Sequence, residues 1–165
     1  MKITGKVIKF GDNVDTDVIL PGKYLIVTDP NELAKHALEG LDPAFTEKAK
    51  KGVILVGGKN FGCGSSREQA PLALKYAGVK CVLADSFARI FFRNAINIGL
   101  PVFEYEGISA KLEDKDELMI DFKTGMIQNL SKDKSFQVPK LPTFILEILE
   151  DGGLIENLRR RRDKK

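Results

Sequence analysis

The run Gly57-Gly58-Lys59-Asn60-Phe61-Gly62-Cys63-Gly64-Ser65-Ser66-Arg67-Glu68 gathers glycines, two hydroxyls, a thiol and a guanidinium in one short stretch. Glycines let backbone approach a ligand closely. The apolar run Val53 to Val56 before it reads as a buried strand, and Gln69 to Tyr76 after it has helical character. Unpaired amides at a helix start favour an anion. Hydroxyls, a guanidinium and free N–H groups together suit a carboxylate or phosphate better than a packed core. A serine acts as a base only if its alkoxide is stabilised, and Arg67 and the helix N-terminus are placed to supply that potential. The same residues also allow a plainer reading, a tight turn with capping serines and Arg67 paired to Glu68 or another surface carboxylate.

Other templates fail. His36 is the only histidine and no G-x-S-x-G elbow exists, so a Ser-His-Asp triad is excluded. Gly62-x-Gly64 is not completed to G-x-G-x-x-G, and no G-K-[ST] follows. Cys63 and Cys81 make neither a disulfide framework nor a C-x-x-C pair, so no metal site is expected. Cys63 reads as a small loop residue rather than a nucleophile, since no histidine stands near it in sequence. Asp12, Asp15 and Asp17 lack the glycine and distal glutamate of an EF-hand. They read as a carboxylate that pairs with a site arginine, or as loop caps.

The elements that must hold these residues follow from the pattern. Thr4 to Phe10 is a short strand, and Gly11 to Asp17 a polar loop. Asp29-Pro30-Asn31-Glu32 starts a helix that stops near Gly40. Val53 to Val56, Val79 to Ala84 and Leu100 to Tyr105 are strands. They alternate with helices over Gln69 to Ala77 and from Ser86 to near Gly99. That order predicts a parallel layer with right-handed crossovers. Glu117 to Phe122 and Met126 to Leu130 flank Lys123-Thr124-Gly125 as a β-hairpin. Helices over Pro142 to Glu150 and Leu154 to Arg162 follow, broken by Gly152-Gly153. Ser66 and Gln69 would form a capping box, but Pro71 would then disturb the first turns. Either the helix starts later or its first turn is irregular.

Composition bounds the rest. The 165 residues, 43% apolar and 30% charged, predict one globular domain over 1–165, with a basic tail at 159–165. No apolar run is long enough to span a membrane, and Met1 to Lys6 lacks a signal-peptide stretch. The cytoplasm is the expected location. The net charge of +3 hides a tail, Arg159 to Lys165, that is itself strongly basic, so the body is slightly acidic. A nucleic-acid face is not implied.

Three ordered motifs carry a resemblance. Gly62-Cys63-Gly64-Ser65-Ser66-Arg67-Glu68, then Ala84-Asp85-Ser86-Phe87-Ala88-Arg89-Ile90 with Phe92 to Gly99, and Asp15-Thr16-Asp17-Val18-Ile19 resemble the swivelling domain of the aconitase superfamily. The free-standing form is similar to the small subunits of 3-isopropylmalate dehydratases and their homoaconitase relatives. The resemblance implies an α/β swivelling β/β/α domain, a layered and mostly parallel sheet with helices plus a β-hairpin. It implies a hydro-lyase of leucine biosynthesis that is active only with a large subunit, as a heterodimer or heterotetramer. That partner carries the [4Fe–4S] cluster; this chain binds no cofactor and lacks the cysteines for one. In the family's terms Ser65 is the base that takes the proton beside a carboxylate. Ser66, Gly64 and Arg67 meet the substrate, and Asp17 belongs to the same network. Tyr24, Leu25, Ile26 and Val27 match the specificity loop. An arginine there would meet a third carboxylate, whereas Ile26 and Val27 suit an isopropyl group. The resemblance therefore favours 2-isopropylmalate over homoaconitate. A non-enzymatic anion- or RNA-binding module is the remote alternative, and the acidic body argues against it. Residues Lys23 to Thr28 are expected to be mobile without the partner.

Overall fold

The computed structural model describes residues 1–164. Its elements run β1 (Lys2–Lys9), α1 (Thr16–Ile19), α2 (Pro30–Ala34), α3 (Phe45–Ala49), β2 (Val53–Gly57), α4 (Gln69–Ala77), β3 (Val79–Ala84) and α5 (Arg89–Asn97). They continue with β4 (Val102–Glu104), α6 (Ile108–Lys111), β5 (Glu117–Asp121), β6 (Met126–Asn129), β7 (Lys134–Gln137), α7 (Thr143–Glu150) and α8 (Leu154–Asp163).

The strands form one sheet in the order β4-β3-β2-β1-β5-β6-β7. The β4, β3, β2 and β1 pairings are parallel, and those of β1, β5, β6 and β7 are antiparallel. Every residue of β2 is buried, as a parallel strand covered on both faces requires. Alternation along it divides two cores. Val53 and Leu55 join the helices α2, α4 and α5 in one. Ile54 and Val56 face the second, where Leu118, Ile120 and Ile127 of the β5–β6 hairpin curl over the sheet. The expected strand–helix–strand layer and the hairpin are both present.

One helix boundary falls where the sequence pattern puts it and one does not, each for a local reason. Helix α4 starts at Gln69, so Pro71 is its third residue, where an amide would lack an intrahelical acceptor in any case. Ser86 does not open a helix. Residues 86–88 stay extended because Phe87 bridges to Phe61, and α5 begins only at Arg89. Gly78, at φ +114°, closes α4 in the left-handed conformation, and a Cβ there would meet the Ala49 carbonyl at 2.1 Å. The basic residues form the end of α8, where Arg160 pairs with Asp151 at 2.8 Å and Arg161 with Glu147 at 2.7 Å. They fasten α8 to α7 and its C-terminal turn, beside a helix C-terminus that itself favours cations.

Candidate active site

Three loops leave the carboxyl ends of the parallel strands β1, β2 and β3, the usual place for ligands in such sheets. Backbone hydrogen bonds lace them together. Gly62 N donates to Val14 O and Thr16 N to Cys63 O, both at 2.8 Å. Phe61 N donates to Ser86 O, and Ala88 N returns to Phe61 O, both at 2.9 Å. Beneath them, the Phe61 ring meets Phe87 and Phe91 edge-on at 5.8 and 5.4 Å. Gly62, at φ +78°, lies over Phe91 so closely that a Cβ would stand 2.1 Å from the ring. The motif glycine lets the chain pass over the aromatic floor and turn back toward solvent.

The three aspartates of the first loop do different work. Asp12 Oδ1 accepts from Lys59 N at 2.7 Å, pinning the β2 loop. Asp15 caps α1, its Oδ1 accepting from Asp17 N at 2.7 Å. Asp17 Oδ1 accepts from Arg67 Nη1 and from Gly22 N, both at 2.9 Å. These two donors, the guanidinium first, hold the Asp17 carboxyl below its ordinary range. Thr16 between them is only 2% exposed, and its hydroxyl donates to Ser65 O at 2.9 Å. Asp17 thus orients the Arg67 guanidinium, and Thr16 fixes the Ser65 backbone.

Thr16, Gly62, Gly64, Ser65, Arg67 and the first turn of α5 line a cleft of about 310 Å³. That turn brings Arg89 and Ile90 to the cleft, and its leading amides have no intrahelical acceptor. Two guanidiniums, a serine and a helix N-terminus around one cleft have the chemistry to bind a carboxylate-bearing anion. The sequence pattern brought forward Ser65, Arg67, Gly64 and Asp17, and the structure gathers all four. Ser66, next to Ser65, is exposed. Thr16 and Arg89 were present in the motifs but gave no signal of a site role, because their position depends on contacts between distant loops.

Tyr24, Leu25, Ile26 and Val27 do not line the cleft. Tyr24, Leu25 and Val27 pack against the helical core, while Ile26 is 88% exposed. Their loop starts beside the site, since Gly22 N reaches the same Asp17 oxygen as Arg67. Of the apolar wall expected from Ile26 and Val27, only Ile26 is presented outward.

The thiols are poor metal ligands. Burial and the neighbouring Asp15 carboxylate push the Cys63 thiol up. Cys81 is wholly buried in the second core, which raises it much further. No group of three or more His, Cys, Asp or Glu residues is placed to hold a metal among the described residues. No helix among them is long and apolar enough to cross a membrane.

The family model of the aconitase C-terminal domain matches residues 9–107, the segment that builds this cleft. An isopropylmalate/citramalate isomerase small subunit of Methanocaldococcus jannaschii is 57% identical over 159 residues, covering 96% of this chain and 95% of that one. A 3-isopropylmalate dehydratase small subunit of Clostridium beijerinckii is 53% identical, covering 98% of this chain and 100% of its own. The crystal structure of a 3-isopropylmalate dehydratase from Methanocaldococcus jannaschii superposes with a TM-score of 0.91 at 48% identity, covering 98% of this chain and 96% of that one. The chain belongs to the aconitase family. Within it, the chain falls among the small subunits of 3-isopropylmalate dehydratases.

Proposed function

We propose that residues 1–165 act as one swivelling unit, the small subunit of a cytoplasmic hydro-lyase that interconverts 2-isopropylmalate and 3-isopropylmalate. The observation that carries this reading is the cleft in which Asp17-held Arg67, Arg89 and Thr16-held Ser65 converge, in a chain of this family. The substrate is a dianion, and two guanidiniums beside one serine match a diacid that reacts next to a carboxylate. Arg67 and Arg89 bind carboxylate oxygens. Ser65, as an alkoxide stabilised by that positive potential, removes the proton from the carbon beside a carboxylate. Ser66 and the Gly64 backbone contact the bound diacid. The hydroxyl leaves the neighbouring carbon, and return of water to the other carbon completes the exchange.

The cysteines and carboxylates of this chain do not fit an iron–sulfur cluster: one thiol is core and the other stands alone. We assign the [4Fe–4S] group implied by the family to a large partner subunit, where it supplies Lewis acidity toward the leaving hydroxyl. The partner also closes the cleft, in a complex of either two or four chains. Ile26, as the outward apolar group of the loop, favours an alkyl substituent over a third carboxylate. The relative named for both isopropylmalate and citramalate supports citramalate as a second, smaller diacid.

The test is anaerobic reconstitution with a cluster-bearing large subunit, assayed on 2-isopropylmalate, citramalate and homoaconitate. Turnover of the alkyl diacids without homoaconitate is expected. Turnover of homoaconitate alone overturns the substrate assignment. No turnover of any of the three with a competent partner overturns the enzymatic reading.

A further inference from the structure

Outside the cleft, one polar cluster is built with more care than packing alone explains. The Tyr24 and His36 rings stack with centroids 3.8 Å apart and planes 10° from parallel. One carboxylate joins them: Glu39 Oε1 accepts from Tyr24 Oη at 2.8 Å, and Oε2 lies 2.9 Å from His36 Nδ1. A hydrogen-bonded fork beneath a ring stack fixes the Tyr24 ring in both tilt and depth. The clamp itself is anchored, since Leu38 N donates to Ile19 O at 2.8 Å at the end of α1.

Tyr24 in turn fixes what surrounds it. It ends the short 3-10 turn Gly22–Tyr24, and Tyr24 O accepts from Val27 N at 3.0 Å. At the other end of the turn, Gly22 N is held by Asp17, the residue that orients Arg67. The loop is therefore tied at two points, one to Asp17, which also holds Arg67, and one to the clamp. Between Leu25 and Val27, which pack inward, stands Ile26 at 88% exposure. An isolated apolar side chain on a turn anchored at two points keeps the position those anchors give it, and the Tyr24 clamp is one of the two.

We propose that His36 and Glu39 are positioning residues for substrate selection, holding Tyr24 so that Ile26 stands at a fixed reach from Arg67. This rests on the proposed diacid reaction. Neither residue touches the substrate; both act through the turn. Loosening the clamp lets Ile26 retreat, which weakens the contact with a branched alkyl group more than with a methyl group.

The experiment uses the reconstituted complex with His36→Ala, Glu39→Ala and His36→Phe, the last keeping a stacking ring. The two alanine variants should raise KM for 2-isopropylmalate about tenfold, the scale of a lost alkyl contact. They should leave kcat near its original value and lower the preference for 2-isopropylmalate over citramalate. His36→Phe should recover most of that preference. A residue that merely supports the fold would reduce the active fraction and leave the preference unmoved. Amide exchange at Leu25 and Val27 in the free chain reads the clamp without any activity. Unchanged exchange in both alanine variants overturns the clamp. Faster exchange with an unchanged preference overturns the selecting role. A wild-type complex that converts neither diacid overturns the functional reading and the selecting role with it, and exchange alone then decides the clamp.

Discussion

Replacing Gly64 by alanine tests whether the loop geometry, rather than its residue types, makes the site. Gly64 adopts φ +92°, a region in which an L side chain is strained. A Cβ there would stand 2.5 Å from Asp15 Oδ2 and 2.9 Å from its Cγ. Asp15 cannot simply move aside, because its Oδ1 caps α1 through Asp17 N. The left-handed backbone costs about 1–2 kcal/mol and loss of the cap about 0.5–2 kcal/mol more. Together they predict roughly 1.5–4 kcal/mol, or about 3–16 °C in melting temperature for a chain of this size. The free chain would be melted and unfolded in urea beside a Gly11→Ala control. Nothing lies within 4 Å of a Cβ at Gly11, and its φ is not positive, so the control should stay near wild type. Because Asp15 holds the amide of Asp17, which in turn holds Arg67, the reconstituted Gly64→Ala enzyme should also lose turnover beyond its loss of folded protein. A melting temperature within about 2 °C of wild type, below the low end of that range, would show that Asp15 yields freely and would refute the argument.

Three further outcomes follow from the same geometry. Ser65→Ala should reduce turnover by about 10²–10⁴ with assembly intact, and near-normal turnover would remove Ser65 as the base. Ile26→Arg should move preference toward homoaconitate, measured as a ratio of kcat/KM values; an unchanged ratio would mean that this loop is not the selector. Asp17 is held below the ordinary value of 3.8 by Arg67 and Gly22, so its ion pair is complete above that range and is lost only as pH falls through the lower folded value. A fall in turnover between about pH 7 and 5, well above the carboxylate range, must then come from another group. Asp17→Asn should lower turnover without shifting that limb, and a shift would show that Asp17 titrates there.

The parallel half of the fold was legible because its strands are short apolar runs punctuated by glycine. Val53 to Val56 is wholly apolar and Val79 to Ala84 is interrupted only by Lys80, and Gly78 marks the turn between α4 and β3. The elements that escaped notice lack such marks. Helix α3 is five residues long with no side-chain cap, and β7 is an edge strand with no fully buried residue. A helix is expected to begin at Ser86 because the reading is local, whereas the extended backbone there is set by Phe87 bridging to Phe61, 26 positions away in sequence. The same distinction runs through the site. Ser65 and Arg67 announced themselves by type and spacing. Thr16 acquires its meaning only from a hydrogen bond to a residue 49 positions away, and Arg89 only from the packing that turns α5 toward the loop. The Tyr24–His36–Glu39 clamp was hidden for the same reason, since a lone histidine has no pattern to read.

The exposure of the loop argues for how the proposed reaction is divided between chains. An alkoxide base and a bound dianion need surroundings from which water is excluded, because both are stabilised by fixed charges far better than by screened ones. This chain supplies the fixed charges: Arg67 locked to Asp17, Arg89 at a helix start, and amides held by three laced loops. It does not supply the enclosure, for Ser65 and Ser66 are both exposed. Two apolar residues around it, Ile90 on the cleft and Ile26 on the tethered loop, are exposed as well, at 42% and 88%. Exposed apolar groups flanking an exposed polar centre are what a second body would cover as it seals the site. A rigid scaffold that prearranges one half of the polar contacts lets that closure complete the site without reorganising it, so the small chain can be fully folded and inert until its partner arrives.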